Sequence, residues 1–421
     1  MSFLKTIEDY LRSGETSSRD LGLEIEHFII DENGDQIPFD VISPLILEIG
    51  NRLNAKIHYM DGYPVGYYTG KYSTSLEPSC QFEISIDPYN DLDTIREIYE
   101  DFRNTWAPEF SKRGYRFLTK GNLPKVETGV ITPDEIPLSP KKRYRYMDNF
   151  FQTSGKYGRY MMRASASAQI SVDYRSEEDM ARKLRVLSKI SPVLAIAMEN
   201  KTDEDSTING NEGQKHLLRI QEWDDLDPSR TGFISGSVEE GFTYKKAAEV
   251  IYNTPLILLT DEGETTEVKE KTAKDLVENG TIKEEILSED RKIKLAEHFM
   301  SMGFFHFRVK KYIEIRVADS AEIDKALGYV ALIKGLMYND ENLNLLDEEL
   351  KGIKEPKTIQ AAFDSIKTDG LKAKIYYGRT AEEWLEYLLE ISEKALSEKD
   401  KEYLKNVRTS GDNIEGKALR Q

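Results

Sequence analysis

A single cysteine, Cys80, stands in 421 residues, so no disulfide can close within the chain and no thiolate zinc cage can be built from it. Histidine is nearly as scarce. His27, His58, His216, His298 and His306 show no HExxH spacing, and a bound metal is therefore expected to be a hard cation held by oxygen, Mg or Mn. Positive charge is also short: 58 Lys and Arg face 75 Asp and Glu, for a formal net charge of −17. That balance argues against electrostatic capture of nucleic acid or of an anionic membrane. No apolar run approaches the roughly 20 residues that span a bilayer, and the opening MSFLKTIEDYLRSGE lacks the apolar segment of a signal peptide; the expected address is the cytoplasm. Neither GxGxxG after an early strand nor GxxxxGK[ST] occurs, which leaves dinucleotide-binding and P-loop architectures unsupported.

What is present reads as a folded enzyme-sized chain, with 39% hydrophobic and 32% charged residues and no low-complexity tract. Residues 20–30, DLGLEIEHFII, alternate as a strand and run into the turn-forming DENGD, which predicts a hairpin. Residues 92–110 and 177–190 carry apolar positions three or four apart and predict amphipathic helices. Residues 73–87 and 163–174 read as strands, and 304–319, FFHFRVKKYIEIRVAD, is the strongest strand signal. The polar stretches 201–214 and 260–280 read as surface loops or insertions. A helix is expected around Trp384, Leu388, Ile391 and Ala395, with the charged end beyond it peripheral. Together these predict a sheet with a polar, ligand-bearing face and helices on the other.

The carboxylates carry the chemistry. Glu24 and Glu26, two apart on a strand, put both acids on one face about 7 Å apart. Glu77 and Glu83 flank PSCQF, with Gln81 and Glu83 expected on one strand face. Glu314 and Arg316, following Tyr312, share a face opposite Ile313, Ile315 and Val317. Like charges this dense are costly unless a cation lies between them. Five carboxylates on three strands, with Arg and Gln beside them, suit a metal-dependent phosphoryl-transfer site; a merely charged sheet face is the alternative.

The segments GLEIEHF (22–28), SLEPSCQFEIS (75–85), 145–185, LRIQEWDDLDPSRTGF (218–233) and RVKKYIEIRVAD (308–319) together resemble the plant-type glutamate–cysteine ligase family, whose catalytic fold is glutamine-synthetase-like. The resemblance implies an α+β fold: a large, mostly antiparallel, curved funnel of sheet with flanking helices. One catalytic domain over 1–421 is expected, helical from about 320. It further implies ATP as co-substrate and two or more Mg ions held by Glu24, Glu26, Glu77, Glu83 and Glu314. Gln169 would lie beside metal and nucleotide, Arg316 would reach the phosphates, and Arg163 and Arg230 would hold the α-carboxylate of glutamate. For the two last arginines the alternative is an ordinary salt bridge.

The implied reaction makes γ-glutamyl phosphate, which an amine then attacks; no protein nucleophile is needed, so Cys80 is read as a small buried hydrophobe. Cysteine is the expected acceptor, with another amino acid or amine as the alternative and a non-catalytic ligand-binding protein as a further one. A monomer or homodimer is expected. Trp223 and Tyr146 are candidate pocket walls, Met161 and Met162 packing residues. Ser171 departs from the family's Asn, and no cysteine pair is available for redox control.

Overall fold

The computed structural model describes residues 2–208 and 213–408. Nine strands make the central sheet: β1 (Leu21–Ile30), β2 (Lys56–Met60), β3 (Tyr63–Tyr68), β4 (Tyr72–Leu76), β5 (Phe82–Tyr89), β6 (Arg116–Leu118), β7 (Ser167–Val172), and two later strands. Between β7 and those two the chain forms β8 (Thr231–Gly232), β9 (Leu258–Asp261), β10 (Glu264–Glu267) and β11 (Phe304–Phe305); β12 (Phe307–Val309) and β13 (Ile313–Asp319) then complete the sheet. Its order is β12-β13-β7-β1-β5-β4-β3-β2, with β6 alongside β1, and every pairing is antiparallel. Outside it, β9 and β10 form a hairpin and β8 pairs β11 in parallel.

Strict alternation decides which face is which. Leu23, Ile25, Phe82, Ile84, Ile170, Ile313 and Ile315 point to one side and are fully buried. Helices Leu92–Ser111, Glu177–Ala197 and Ile323–Met337 cover that side. Phe82 packs edge-on against Trp106 at 4.5 Å between ring centroids, and the indole N–H of Trp106 donates to Tyr67 Oη at 2.8 Å. These aromatic contacts lock Leu92–Ser111 onto β3 and β5. The opposite face carries Glu24, Glu26, Glu83 and Gln169. Register slips in β5, where Ile86 to Tyr89 faces Leu21 to Leu23 of β1, and in β13 between Ile315 and Ala318 are bulges, which bend strands and re-aim side chains.

The helices at 92 and 177 and the first strand lie where periodicity placed them. Other segments differ. Residues 73–87 are a hairpin, not one strand, because Cys80 takes φ +67° and the Glu77 carbonyl accepts from the Cys80 amide, closing a turn between β4 and β5. Residues 304–319 break into three strands around a turn at Lys310–Tyr312, where the Lys310 amide donates to the Tyr312 carbonyl at 2.8 Å. After β1 the DENGD turn makes one bridge, Ile30 to Gln36, and then leads into helix Phe39–Arg52 rather than a second strand. The strand read at 163–174 starts only at Ser167, behind helix Gly158–Ala164. Residues 260–280 hold most of a hairpin and helix Ala273–Glu278; of 201–214, residues 209–212 lie outside the described residues.

The charged end is not peripheral through residue 407. Helix Glu398–Arg408 packs on Ile323–Met337, burying Leu404 and Val407 to 1% exposure each. Leu404→Ala is expected to destabilise the protein by about 2–4 kcal/mol, a lost side chain plus a cavity. Urea unfolding of the variant against wild type measures this; a change under 1 kcal/mol would show that the last helix contributes little. Among the described residues no helix is long and apolar enough to cross a membrane.

Candidate functional site

Antiparallel register assembles the acids. Glu24 lies opposite Gln169 on one side and Ser85 on the other, Glu26 opposite Glu83, Glu83 opposite Ser75, and Glu314 opposite Ser171 and Arg308. Residues directly opposite share a face. Glu77 joins them from the β4–β5 turn. Glu24, Glu26, Glu77 and Glu83 are each half-buried.

Local hydrogen bonding only partly satisfies these groups. Ser75 Oγ lies 3.3 Å from Glu77 Oε1 and 3.1 Å from Glu83 Oε1, so one hydroxyl proton serves two carboxylates, and Ser85 Oγ donates to Glu83 at 2.9 Å. Glu26 accepts from the Ser167 amide at 2.6 Å and from Gln169 Nε2 at 3.5 Å. The Glu24 carboxylate accepts no hydrogen bond from the described residues. Desolvation, and then the neighbouring Glu314 charge, raise its pKa. Desolvation and Glu77 push Glu26 up to about 7. Glu83 is held well above the usual carboxylate range, first by burial and then by Glu24, Glu77 and Glu26.

Such a face is deficient in positive charge, and its donors are the hard oxygens that Mg prefers. Glu24, Glu26, Glu77 and Glu83 therefore fit a divalent cation. Among the described residues no three acidic, imidazole or thiol groups stand close enough together to hold a metal ion as placed, so the fit rests on the chemistry of the donor set.

Glu314 differs from the other acids in having basic partners. Although its surroundings are desolvating, Arg308, Lys310 and Arg316 together hold it well below the usual range. Arg308 Nε donates to Oε2 at 2.6 Å, Lys310 Nζ to Oε1 at 2.7 Å and Arg316 Nη1 to Oε2 at 3.0 Å. These three donors tie Glu314 into a basic patch that borders the acid face. Arg316 Nη1 also donates to Gln169 Oε1 at 2.6 Å, joining this patch to the acids. The bulge in β13 frees the Arg316 amide from the β7 ladder, and it donates to the His306 carbonyl at 3.0 Å.

Gln81 does not join the acid face: its amide reaches the Ser79 N–H and the carbonyls of Met162 and Ser165, fixing the turn from below. Arg163 is spent too. Its Nε and Nη2 lie 2.9 and 2.7 Å from Asp148 Oδ1, and its Nη1 donates to the Ile136 carbonyl at 2.8 Å, so the salt-bridge alternative describes it. Arg230 differs: fully buried, it uses Nε on Asp227 at 2.8 Å and Nη1 on the Pro255 carbonyl at 2.8 Å, while Nη2 is buried without an acceptor. Phe150 lies under its guanidinium at 4.6 Å.

Trp223 is a wall beside the basic patch, with Arg219 and Arg316 at 5.8 and 5.9 Å from its ring and a buried, unpartnered indole N–H. Tyr146 is half-buried against the core, and Met161 and Met162 are buried packing residues. Burial pushes the Cys80 thiol up to about 12, consistent with an inert hydrophobe. Arg308, Lys310 and Arg219, whose Nη1 donates to the Arg316 carbonyl, escaped the sequence reading. The signal for the first two lay in the turn at 310–312, which brings 308 opposite 314.

His306, whose carbonyl receives the Arg316 amide, is buried with Nε2 unpartnered 3.8 Å from Asp224. Burial lowers its pKa from 6.5 to about 4 despite that carboxylate. A depressed histidine contributes stability above pH 6.5 and loses it as pH falls toward the folded value, because the unfolded chain takes up the proton first. The stability gap between wild type and His306→Gln is therefore expected to narrow by about 2 kcal/mol from pH 6.5 to 5. Urea titrations at the two pH values test it; a gap independent of pH would mean that His306 titrates normally.

The profile of glutamate-cysteine ligase family 2 matches residues 20–417. The chloroplastic glutamate–cysteine ligase of Medicago truncatula is 28% identical over 342 residues, covering 80% of this chain and 64% of that protein. The Arabidopsis thaliana enzyme is 26% identical over 344 residues, covering 80% and 63%. The chain spans 61% of the rice chloroplastic glutamate–cysteine ligase B that it matches at 25% identity. Among solved structures, Francisella tularensis glutamate–cysteine ligase in complex with AMP superposes with a TM-score of 0.53 at 11% identity, covering 94% of this chain and 83% of that one. That likeness extends to the fold, an antiparallel sheet flanked by helices.

Proposed function

Because the chain belongs to glutamate-cysteine ligase family 2, we propose that it joins the γ-carboxylate of glutamate to the amine of L-cysteine at the expense of ATP, through γ-glutamyl phosphate. The observation that carries this reading is Glu24, an acid without a protein hydrogen-bond donor on a face of acids with raised pKa values, beside an arginine tied to both Gln169 and Glu314. A face so charged has little reason to exist without cationic chemistry.

Glu24, Glu26, Glu77 and Glu83 would hold Mg, which when bound neutralises the triphosphate and polarises its terminal phosphoryl group. Arg316 presents a guanidinium to phosphate oxygens and offsets charge as the γ-carboxylate of glutamate takes the phosphoryl group from ATP. Gln169 and Glu314 fix its orientation, and Arg308 and Lys310 keep Glu314 from drawing it away. Arg230, whose Nη2 has no acceptor, would hold the substrate's α-carboxylate. The cysteine amine then attacks the acyl carbon, an amide bond forms, and phosphate leaves. Shared orientation does the rest.

Phosphate release from Mg-ATP, glutamate and a panel of amines tests the proposal, with product mass measured in parallel. Turnover fastest with cysteine, yielding γ-glutamylcysteine, is the expected result. Faster turnover with another amine would keep the chemistry and change the acceptor; no turnover with any amine would overturn the enzyme reading.

A further inference from the structure

Among the described residues three arginines are buried, Arg163, Arg219 and Arg230, at 8, 3 and 0% exposure. Two of them bond a carboxylate, Arg163 on Asp148 and Arg230 on Asp227. Arg219 does not. It stands in helix Leu218–Asp224, and its one hydrogen bond among the described residues runs from Nη1 to the Arg316 carbonyl at 2.9 Å. Its Nε is sealed from solvent without an acceptor, and Nη2, which is not sealed, donates to none of the described residues. A buried cation without a paired anion is costly, and an orphaned N–H adds to the cost.

Position decides which anion is missing. Three acids act on Arg219 without pairing with it, and each is bonded elsewhere: Glu26 to the Ser167 amide at 2.6 Å, Asp319 to the Asn200 amide at 2.9 Å and Glu222 to the Asn122 side chain. Burial lowers the guanidinium's pKa, and Glu26 is the charge that counters this most. Arg219 therefore stands beside one of the acids that fit a divalent cation, facing the oxygens such an ion gathers. Arg316 is its other neighbour. The two guanidinium carbons lie 5.8 and 5.9 Å from the Trp223 ring, and Arg219 holds the Arg316 backbone directly. A carboxylate, with two oxygens, is matched by one arginine fork, whereas a phosphoryl group in transit spreads charge over three and can take two arginines and a metal together.

We propose that Arg219 is a second catalytic arginine, donating from Nη2 to the phosphoryl group as it passes from ATP to glutamate while Nη1 stays on the Arg316 carbonyl. This role deepens the ligase reading and rests on it. In the step, the γ-phosphorus bonds to a γ-carboxylate oxygen of glutamate as its bond to the β–γ bridging oxygen breaks. The electron pair leaves with ADP, and Arg219 stays protonated throughout.

Steady-state kinetics of the full chain, wild type beside Arg219→Met and Arg219→Lys, test it, with urea midpoints to establish that each variant folds. In Arg219→Met kcat is expected to fall by roughly 10²-fold or more, the scale of one charge-stabilising group, with KM for glutamate and for cysteine moving less than threefold. Arg219→Lys is expected to stay at least tenfold below wild type, since a point charge lacks the fork that spans carbonyl and phosphoryl group; should the Met variant not fold, this one decides. A second readout needs no turnover. Aluminium fluoride with Mg-ADP and glutamate mimics the group in transit, and by isothermal titration it is expected to tighten ADP binding in wild type at least tenfold more than in either variant. A loss carried by KM for cysteine or for glutamate instead of kcat would give Arg219 a substrate carboxylate and overturn the proposal. So would a kcat within threefold of wild type in Arg219→Lys, or fluoride-dependent ADP binding unchanged in the variants, which would leave Arg219 a buried counter-charge to its three acids. Wild type that neither turns over nor binds Mg-ADP would overturn the ligase reading itself, whereas an active wild type matched by its variants strikes only the role of Arg219.

Discussion

Glu83→Gln is expected to lower γ-glutamyl ligation by roughly 10²–10³-fold, the scale of losing one preorganised charge-stabilising group, while the metal-free protein melts at a higher temperature. The two effects share a cause. Glu83 stands opposite both Glu26 and Ser75, with burial and then Glu24, Glu77 and Glu26 all disfavouring its charged form. A carboxyl with a raised folded pKa costs stability once pH exceeds that of the free acid, because folding must then hold a charge the site resists. Glutamine keeps the shape and can still accept from Ser75 and Ser85, so removing the charge relieves repulsion without opening a cavity. Thermal unfolding in EDTA and in excess Mg makes the separation. Wild type is expected to gain more from Mg than the variant, since a ligand that binds only the folded state stabilises in proportion to its affinity. A variant with full activity, or one that melts lower than wild type in EDTA, would remove Glu83 from the cation site.

That coupling explains which parts of the molecule were legible in its sequence. Period-two alternation marks Leu23, Ile25, Ile313 and Ile315 as core, and the same alternation forces Glu24, Glu26 and Glu314 to the other side, so the acids and their common face could be read directly. What alternation does not carry is where a strand stops. The turn at Glu77–Gln81 depends on Cys80 at φ +67°, a conformation that non-glycine residues seldom adopt and that no residue type announced. The turn at 310–312 interrupts an otherwise continuous β-prone run. Missing it hid Arg308 and Lys310, and with them the fact that Glu314 faces three cations while the other acids face one another. Arg163 shows the converse limit: motif position offered it to a substrate, but Asp148, on a helix 15 residues earlier, occupies it. Charge pairing across elements is a tertiary property, and only the register reveals which partner wins.

Arg316 is where these two populations of charge meet, and Arg316→Ala tests whether the junction performs chemistry or merely holds structure. Folding should survive the change. Glu314 retains Arg308 at 2.6 Å and Lys310 at 2.7 Å, so no buried carboxylate is orphaned. The loss is chiefly the bond to Gln169 Oε1, worth about 1–2 kcal/mol. Activity should not survive as well. If Arg316 offsets charge that develops as the phosphoryl group moves, kcat and kcat/KM are expected to fall together by roughly 10²–10³-fold with KM for glutamate little changed, the pattern of an interaction made in the transition state alone. Arg316→Lys should recover only part of that, because an ammonium offers a point charge in place of a fork that can bond Gln169 and Glu314 while facing phosphate. Steady-state kinetics on both variants, beside their urea midpoints, separate the cases. A kcat within threefold of wild type in Arg316→Ala would make this residue a strut between strands β7 and β13 and move the burden of charge stabilisation to Arg308, Lys310 and Arg219.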